Sequence, residues 1–239
     1  MHYGTLSLPA RLFLLAWSLD RKRFTGGPDL HLAVRAGALA ELAQRGLLHE
    51  RERGGAVVPV AGSRTGDAVL DGLLDLIERS RPRKLRGWIT HRSRDTLTAV
   101  RDELAAHGYL RTERRRVLGL FPVRHWEPER TGYAETLHAE TLAVLRGPRP
   151  VAEVGQGEAA LVVCAAAGKV RPAVTGKDRR RYKDRLEELT DRSGGASPEL
   201  RSTMRDLRKA LASAVAAAET ARSSDGAGGD GGGGGDGGG

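Results

Sequence analysis

The residues that could do chemistry are not arranged for catalysis. Outside the glycine-rich residues 223–239, the chain contains no G-x-x-x-x-G-K-[ST], G-x-G-x-x-G, G-x-S-x-G or H-E-x-x-H motif. The seven histidines are scattered, and no two have the spacing of paired metal ligands. We therefore expect no enzyme, no metal and no cofactor, and arginine remains as the chemically important residue type.

Arginine dominates the charge of the chain. The 239 residues carry +9, and the three aspartates of 223–239 are the only charged residues there, so residues 1–222 carry +12. A chain this basic attracts anions such as phospholipid headgroups or nucleic acid. Only six of the cationic residues are lysine, which a GC-rich bacterial genome explains as well as selection for phosphate binding does.

Three arginines accompany two apolar stripes with helical spacing. Arg35 lies beside the first stripe, formed by Leu32, Ala36, Leu39 and Ala43. Arg94 and Arg101 accompany the second stripe, formed by Leu97, Val100 and Leu104. We expect Arg35 and Arg94 to flank their helices, outside the core, where they can meet an anion.

A repeated unit organises the middle of the chain. ELAQRGLL at 41–48 returns 62 residues later as ELAAHGYL at 103–110, and β-prone runs follow at 57–60 and 117–123. Gly46 and Gly108 lie where a helix commonly ends in a left-handed residue. The sequence therefore predicts two units, each consisting of a helix, a glycine stop and a hairpin.

The second hairpin is predicted to turn at an apolar tip. Leu118, Leu120 and Phe121 are too close in sequence for a two-stranded ribbon to bury all three, because neighbouring side chains point to opposite faces. Exposed apolar patches commonly mark contacts with a protein or a membrane. We expect this tip either to insert into a membrane or to bind a second copy of the chain as a homo-oligomer.

The overall pattern predicts an all-α fold. Aromatic residues make up only 4% of the chain, so the core must come from Leu, Val and Ala, which suits closely packed helices. Asp29 is expected to cap the helix that contains Arg35. The regularity is clearest in the helix after Thr65, whose apolar face is Val69, Leu70, Leu73, Leu74 and Ile77. Further helices are expected at 8–19, around Trp88, and at 134–145, 158–168, 178–190 and 197–221.

We expect one folded domain over residues 1–222 and a disordered glycine-rich tail over 223–239. The single Cys164 excludes a disulfide within the chain and is expected to be a small buried apolar residue. No stretch approaches the roughly 18 apolar residues of a membrane span, and no secretory signal is recognised. The protein is therefore expected inside the cell.

These segments together resemble the Golgi phosphoprotein 3 family. The similarity is carried by LSLPARLFLLAWSLDRKRF at 6–24, AGALAELAQRGLLHE at 36–50, TGDAVLDGLLDLI at 65–77 and Trp88-Ile89, in the family's order and spacing. As a bacterial member, the chain would be a helical bundle surrounded by amphipathic helices, with a protruding β-hairpin. The resemblance also implies a peripheral membrane protein that tethers membrane enzymes as an adaptor. Eukaryotic members bind phosphatidylinositol 4-phosphate at the Golgi membrane.

The resemblance implies a headgroup site, and two arginines of this chain match it. Arg35 matches the family's arginine in the second helix, and Arg94 matches the first of two arginines before the hairpin. Leu97 stands where the family has the second of these arginines, and residues 26–28 stand where it has a tryptophan. With the neighbouring cations added, the expected headgroup-binding residues are Arg35, Arg92, Arg94 and Arg101. The expected location is the cytoplasm, at the inner face of the membrane.

A winged-helix-like nucleic-acid-binding protein is the alternative hypothesis. A helix, a glycine stop and a basic hairpin also describe such a domain. However, the predicted helices carry few central arginines or asparagines that could contact base edges, and the tip is apolar where a wing would contact phosphate. We therefore favour an anionic membrane surface as the partner.

Overall fold

The computed structural model describes residues 6–51, 55–117 and 121–225, and within these ranges it gives no side-chain description for 113–117, 121–125 and 225. In the described part of the chain, ten α-helices and three antiparallel hairpins form the regular structure, with a short 3-10 turn at Val151–Glu153. The fold is therefore all-α with hairpins, as the sequence predicts.

The helices follow one another through the whole described chain. They are α1 (Leu8–Leu14), α2 (Leu30–Gln44), α3 (Ala68–Glu78), α4 (Leu85–Thr90), α5 (Ser93–Ala106), α6 (Thr131–Arg146), α7 (Gln156–Ala167), α8 (Gly176–Arg181), α9 (Lys183–Ser193) and α10 (Pro198–Asp225). The hairpins pair β1 (Trp17–Ser18) with β2 (Arg23–Phe24), β3 (Leu48–Glu50) with β4 (Val57–Pro59), and β5 (Leu110–Val117) with β6 (Phe121–Pro128).

Helices α2 and α7 lie at the centre because they are apolar on nearly every side. Helix α2 packs against α1, α5, α7 and α10. Small residues permit this close approach: a Cβ added to Gly37 would lie 2.3 Å from Leu12 Cδ1, and one added to Gly168 would lie 2.5 Å from Ala33 Cβ. A leucine- and alanine-rich sequence thus forms a dense core with few aromatic rings.

The two predicted repeat units have the same helix ending. Gly46 follows α2 with φ +70°, and Gly108 follows α5 with φ +72°. The amide of the next residue then donates back into each helix, from Leu47 to Leu42 O at 2.9 Å and from Tyr109 to Leu104 O at 2.8 Å. This is a Schellman ending, and it confirms the prediction of a glycine stop before each hairpin.

Helix α3 confirms the clearest sequence pattern. Its five predicted apolar residues are all buried, and the Asp67 carboxylate caps the helix by accepting a hydrogen bond from Leu70 N at 2.9 Å. Cys164 is also buried, and burial raises the pKa of its thiol to about 12. It is an inert apolar residue under ordinary conditions.

Three local predictions were wrong. Helix α1 ends at Leu14, because Trp17 and Phe24 pack edge to face at 5.1 Å and turn the following segment into a hairpin. The predicted helix at 178–190 is divided at Tyr182 into α8 and α9. Asp29 precedes α2 but makes no cap, since its carboxylate accepts hydrogen bonds from Arg222 at 2.7 and 2.5 Å.

Candidate anion-binding site

Residues 79–94, called here the basic segment, contain seven cationic residues and no acidic residue. The segment runs from the end of α3 through α4 into the first turn of α5. Six of its cations are exposed: Arg79, Arg81, Lys84, Arg86, Arg92 and Arg94. The sequence pattern around Pro82 indicates only a break between helices. The high density of positive charge becomes evident only when one notes that residues 79–94 contain no aspartate or glutamate.

The basic segment is held firmly against the body of the protein. Leu85, Trp88 and Ile89 are buried, and α4 packs against α2 and α10. The amide of Val57 in β4 donates to Arg83 O at 2.8 Å, and the Arg83 guanidinium lies 5.4 Å from the centre of the Trp88 ring. The exposed cations therefore extend from an ordered backbone.

Most of these cations lack a carboxylate partner. Arg92 Nε pairs with Asp95 Oδ2 at 2.6 Å. Among the described residues, no ion pair involves Arg79, Arg81, Lys84, Arg86 or Arg94. Like charges held close together repel one another, and a bound anion removes that repulsion. This makes the segment a candidate surface for anions.

Arg35 is buried, which corrects the expectation that it flanks its helix. Its side chain is only 1% exposed. Nε donates to Thr96 Oγ1 at 2.8 Å, Nη2 to Arg92 O at 2.9 Å and Nη1 to Trp88 O at 3.4 Å. Arg35 therefore ties α2 to the turn between α4 and α5.

The surroundings of Arg35 determine the pKa of its guanidinium and the backbone group that it supports. Burial lowers the pKa of its guanidinium to about 10, while the nearby Asp95 acts in the opposite direction. It remains a cation at neutral pH, although its hydrogen-bond partners are neutral oxygens. One of those oxygens belongs to Arg92, whose φ of +49° is unusual for a residue with a Cβ. The hydrogen bond to Arg92 O helps to hold that conformation.

A cavity of about 480 Å³ lies between α3 and α5 above Arg35. Arg79, Ser80, Arg92 and Thr96 contribute cations and hydroxyl groups to its wall. Two carboxylates also line it, but each is already paired, Asp75 with Arg64 at 3.0 Å and Asp95 with Arg92. The cavity thus carries a small excess of positive charge next to the basic segment.

Arg94 and Arg101 lie on α5 in different environments. Arg94 is exposed. Burial of the His31 ring at the start of α2 lowers the pKa of that histidine, and the charge of Arg94 lowers it further. Arg101 is half-buried and its guanidinium lies 5.2 Å from the centre of the Trp126 ring, at the base of the β5–β6 hairpin. The structure thus groups Arg92 and Arg94 with the basic segment, while Arg101 lies about two helical turns away.

This chain differs from the family pattern at Leu97 and at residues 26–28, and the structure gives a reason for each difference. Leu97 is partly buried against the core, in agreement with its apolar side chain. A Cβ at Gly26 would lie 2.6 Å from Ala16 Cβ, so no larger side chain fits there. Gly27 has open space but a φ of +84°, which disfavours other residues.

The predicted hairpin tip lies largely outside the described residues. Leu118 and Leu120 belong to the undescribed residues 118–120. Phe121 begins β6 and pairs with Val117, but its side chain is not described. Membrane insertion or oligomerisation by this tip therefore stays a prediction.

The fold and the basic segment together define a class: an all-α protein with a long β-hairpin and an ordered, cation-rich surface. The family model of Golgi phosphoprotein 3 (GPP34) matches residues 8–222, and the chain belongs to this family. No curated protein matches the chain. Among the described residues, no helix is long and apolar enough to cross a membrane.

Proposed function

We propose that this protein binds anionic phospholipid headgroups at a membrane surface through the basic segment. The observation that carries the proposal is the concentration of six exposed cations over residues 79–94, of which only Arg92 has an ion-pair partner among the described residues. Arg94 and Arg92 extend this surface onto α5, and Arg35 supports it from below by its hydrogen bond to Arg92 O. In this role, Arg35 is a positioning residue for the headgroup surface.

The number of cations is sufficient for useful affinity. Each Lys or Arg near an anionic membrane contributes about 1 kcal/mol. Micromolar binding requires about 8 kcal/mol. The six exposed cations supply most of that energy, and insertion of an apolar hairpin tip would supply the rest. Because exposed charges are screened, binding should weaken when salt is raised from about 0.1 M to 1 M, where the Debye length falls from about 10 to 3 Å.

The finer proposal comes from family membership. A phosphoinositide such as phosphatidylinositol 4-phosphate is the headgroup expected from the resemblance, with the protein peripheral on the cytoplasmic face of the membrane. Tethering of membrane enzymes as an adaptor is the role expected for the docked protein. The cavity beside Arg79, Arg92 and Thr96 supports recognition of a phosphate, because it offers guanidinium and hydroxyl donors together.

Nucleic acid is the competing polyanion. The buried position of α2 argues against a winged helix in the first unit, since twelve of its fifteen residues are buried and it cannot enter a groove as a recognition helix. Binding of random duplex DNA with a steep dependence on salt, in the absence of vesicle binding, would favour nucleic acid instead.

Vesicle flotation with matched charge removal tests the proposal. The substitutions Arg81→Gln, Lys84→Gln and Arg86→Gln remove three exposed cations from the basic segment. Lys177→Gln, Arg180→Gln and Lys183→Gln remove three exposed cations from α8 and α9 and provide the control. We expect the first triple variant to bind anionic vesicles about 100-fold more weakly, and the control to lose much less.

Equal losses in the two triple variants would show that only net charge matters and would refute the assignment of the site. Vesicles that are neutral, anionic, or doped with phosphatidylinositol 4-phosphate separate general attraction from headgroup recognition. Preference for the phosphoinositide over another anionic lipid at equal surface charge would support the finer proposal.

A further inference from the structure

The turn between β1 and β2, residues 19–22, presents an apolar side chain beside several cations. Leu19 is 38% exposed and is one of three large hydrophobic residues exposed among those the structure describes. Four charged residues follow it, Asp20, Arg21, Lys22 and Arg23, and all four are exposed. Among the described residues, no ion pair involves any of these three cations. The turn therefore combines exposed apolar surface with uncompensated positive charge.

The base of this turn is packed firmly onto the helical body. Trp17 is buried, and the Phe24 ring that contacts it also packs against the Phe13 ring, with centroids 4.7 Å apart. The amide of Thr25 donates to Ala16 O at 2.8 Å and closes the base of the hairpin. Leu19 itself lies outside the core cluster that these aromatic residues join. An ordered hairpin thus holds a leucine at the surface.

The turn lies near the part of the body where the basic segment ends. The β1–β2 hairpin joins α1 to the start of α2, and a Cβ at Gly26 would meet Ala16 Cβ at 2.6 Å. Early in the same helix, Arg35 Nη2 donates to Arg92 O in the turn before α5, and α5 also packs against α1. Since each strand adds only two residues, the tip lies within about 10 Å of its base. The turn is therefore close to the last cations of the basic segment.

The composition of the turn favours a membrane over a protein as its partner. Stable protein interfaces bury about 800 Å² on each side, around a centre that is depleted in charged residues. One leucine followed by four consecutive charged residues does not provide such a centre. At an anionic membrane, however, an apolar side chain enters the boundary between headgroups and acyl chains while Lys and Arg stay among the headgroups.

We infer that the β1–β2 turn is a second membrane-contact element of this protein. Leu19 enters the boundary between headgroups and acyl chains, and Arg21, Lys22 and Arg23 contact the lipid phosphates. The inference rests on the proposed binding of anionic phospholipids and adds an element outside the basic segment. An apolar wedge with neighbouring cations requires no particular headgroup, so any anionic phospholipid should suffice.

A fluorescent probe on the turn tests this inference. Cys164 is the only cysteine of the chain, and burial raises the pKa of its thiol to about 12, so Leu19→Cys provides a single reactive thiol for an environment-sensitive NBD label. Val60→Cys is the matched control, because Val60 is 41% exposed and its amide donates to Leu47 O, beyond the other end of α2. With phosphatidylcholine vesicles that contain phosphatidylglycerol, we expect a blue shift and a several-fold brighter emission from the probe at 19, and unchanged emission from the probe at 60.

Unlabelled variants test the same element by flotation on these vesicles. Leu19→Ser should weaken binding about fivefold, and Val60→Ser should bind like the wild type. Arg21→Gln combined with Lys22→Gln should weaken binding about 20-fold at low salt. Raising the salt should reduce the effect of the charge variant and preserve that of Leu19→Ser, because apolar burial is not screened. Thermal unfolding should be nearly unchanged for Leu19→Ser, since its side chain is exposed.

Three outcomes would overturn the inference. If flotation shows that the labelled protein binds the vesicles while the emission of the probe at 19 stays unchanged, the turn does not enter the membrane, and the proposed function of the basic segment stands. If the wild type does not bind anionic vesicles, both the inference and the proposed function fail. If Leu19→Ser converts an oligomer to a monomer in gel filtration without vesicles, the turn is a contact between copies of the chain instead.

Discussion

Leu32 and Arg94 occupy the same place in the two repeated units, as do Leu39 and Arg101, since each pair is separated by 62 residues. In the first unit both positions are buried, with Leu32 at 4% and Leu39 at 1% exposure. In the second unit Arg94 is exposed and Arg101 is half-buried. The two helices have nearly the same length, 15 and 14 residues, and each is followed by a glycine ending and a hairpin. Their surroundings must therefore account for this difference.

The surroundings differ because α2 is enclosed on several sides and α5 is not. Helix α2 lies among α1, α5, α7 and α10, whereas α5 packs against α1, α2 and α3 and leaves its Arg94 edge open. Their hairpins differ in length. Each strand of the first hairpin has three residues, and each strand of the second has eight. The same unit of helix, glycine ending and hairpin thus contributes its helix to the core in the first case and to the surface in the second.

Truncation of Leu39 should give the largest difference between the units. Leu39→Ala leaves a cavity in the packed centre and should lower the free energy of unfolding by about 2–5 kcal/mol. Arg101→Ala, at the equivalent position, should lower it by less than about 1 kcal/mol. Urea denaturation measures both values. Similar values for the two variants would mean that the units are equally buried.

Arg35 and Arg94 should separate stability from binding. Arg35→Ala removes three hydrogen bonds and leaves a buried space, so we expect a loss of about 2–4 kcal/mol in the free energy of unfolding. Arg94→Ala should change stability by less than about 0.5 kcal/mol and weaken binding to anionic vesicles. Denaturation and flotation on the same preparations check both outcomes. A fully stable Arg35→Ala variant would contradict the buried position of Arg35.

The two glycine endings should respond alike if their geometry is the same. Neither glycine has an atom within 4 Å of an added Cβ, so Gly46→Ala and Gly108→Ala differ from the wild type only by backbone strain. Each should cost about 1–2 kcal/mol in the free energy of unfolding. Thermal denaturation of the two variants tests this expectation. A large difference between them would show that only one unit depends on its glycine ending.

The pKa of His31, in the first unit, should depend on the charge of Arg94, in the second unit. Burial of His31 and the charge of Arg94 lower its pKa below 6.5, its ordinary value. The unfolded chain therefore binds this proton more readily, and His31 destabilises the fold as the pH falls below about 6.5. Arg94→Ala should raise the pKa of His31 and reduce this loss. An NMR titration of the His31 ring measures the change, and an unaltered titration would place Arg94 too far from α2.

The features of the fold that can be predicted from the sequence are those that follow from regular local spacing of residues. The apolar face of α3 and both glycine endings follow from spacing alone, and the structure confirms them. The burial of Arg35 does not follow, because an arginine in a helix normally lies at the surface and its acceptors come from residues 88–96. The β1–β2 turn is equally hidden from sequence patterns, since the helical spacing of α1 continues to Leu19 and the packing of Trp17 against Phe24 ends the helix earlier.

Hydrogen–deuterium exchange with and without anionic vesicles tests most directly whether the second unit and the basic segment face the membrane. We expect the vesicles to slow exchange of the backbone amides over residues 79–94, while exchange in β3, β4 and α9 stays unchanged. Vesicle binding with slower exchange in β3, β4 or α9 and no change over 79–94 would contradict the account.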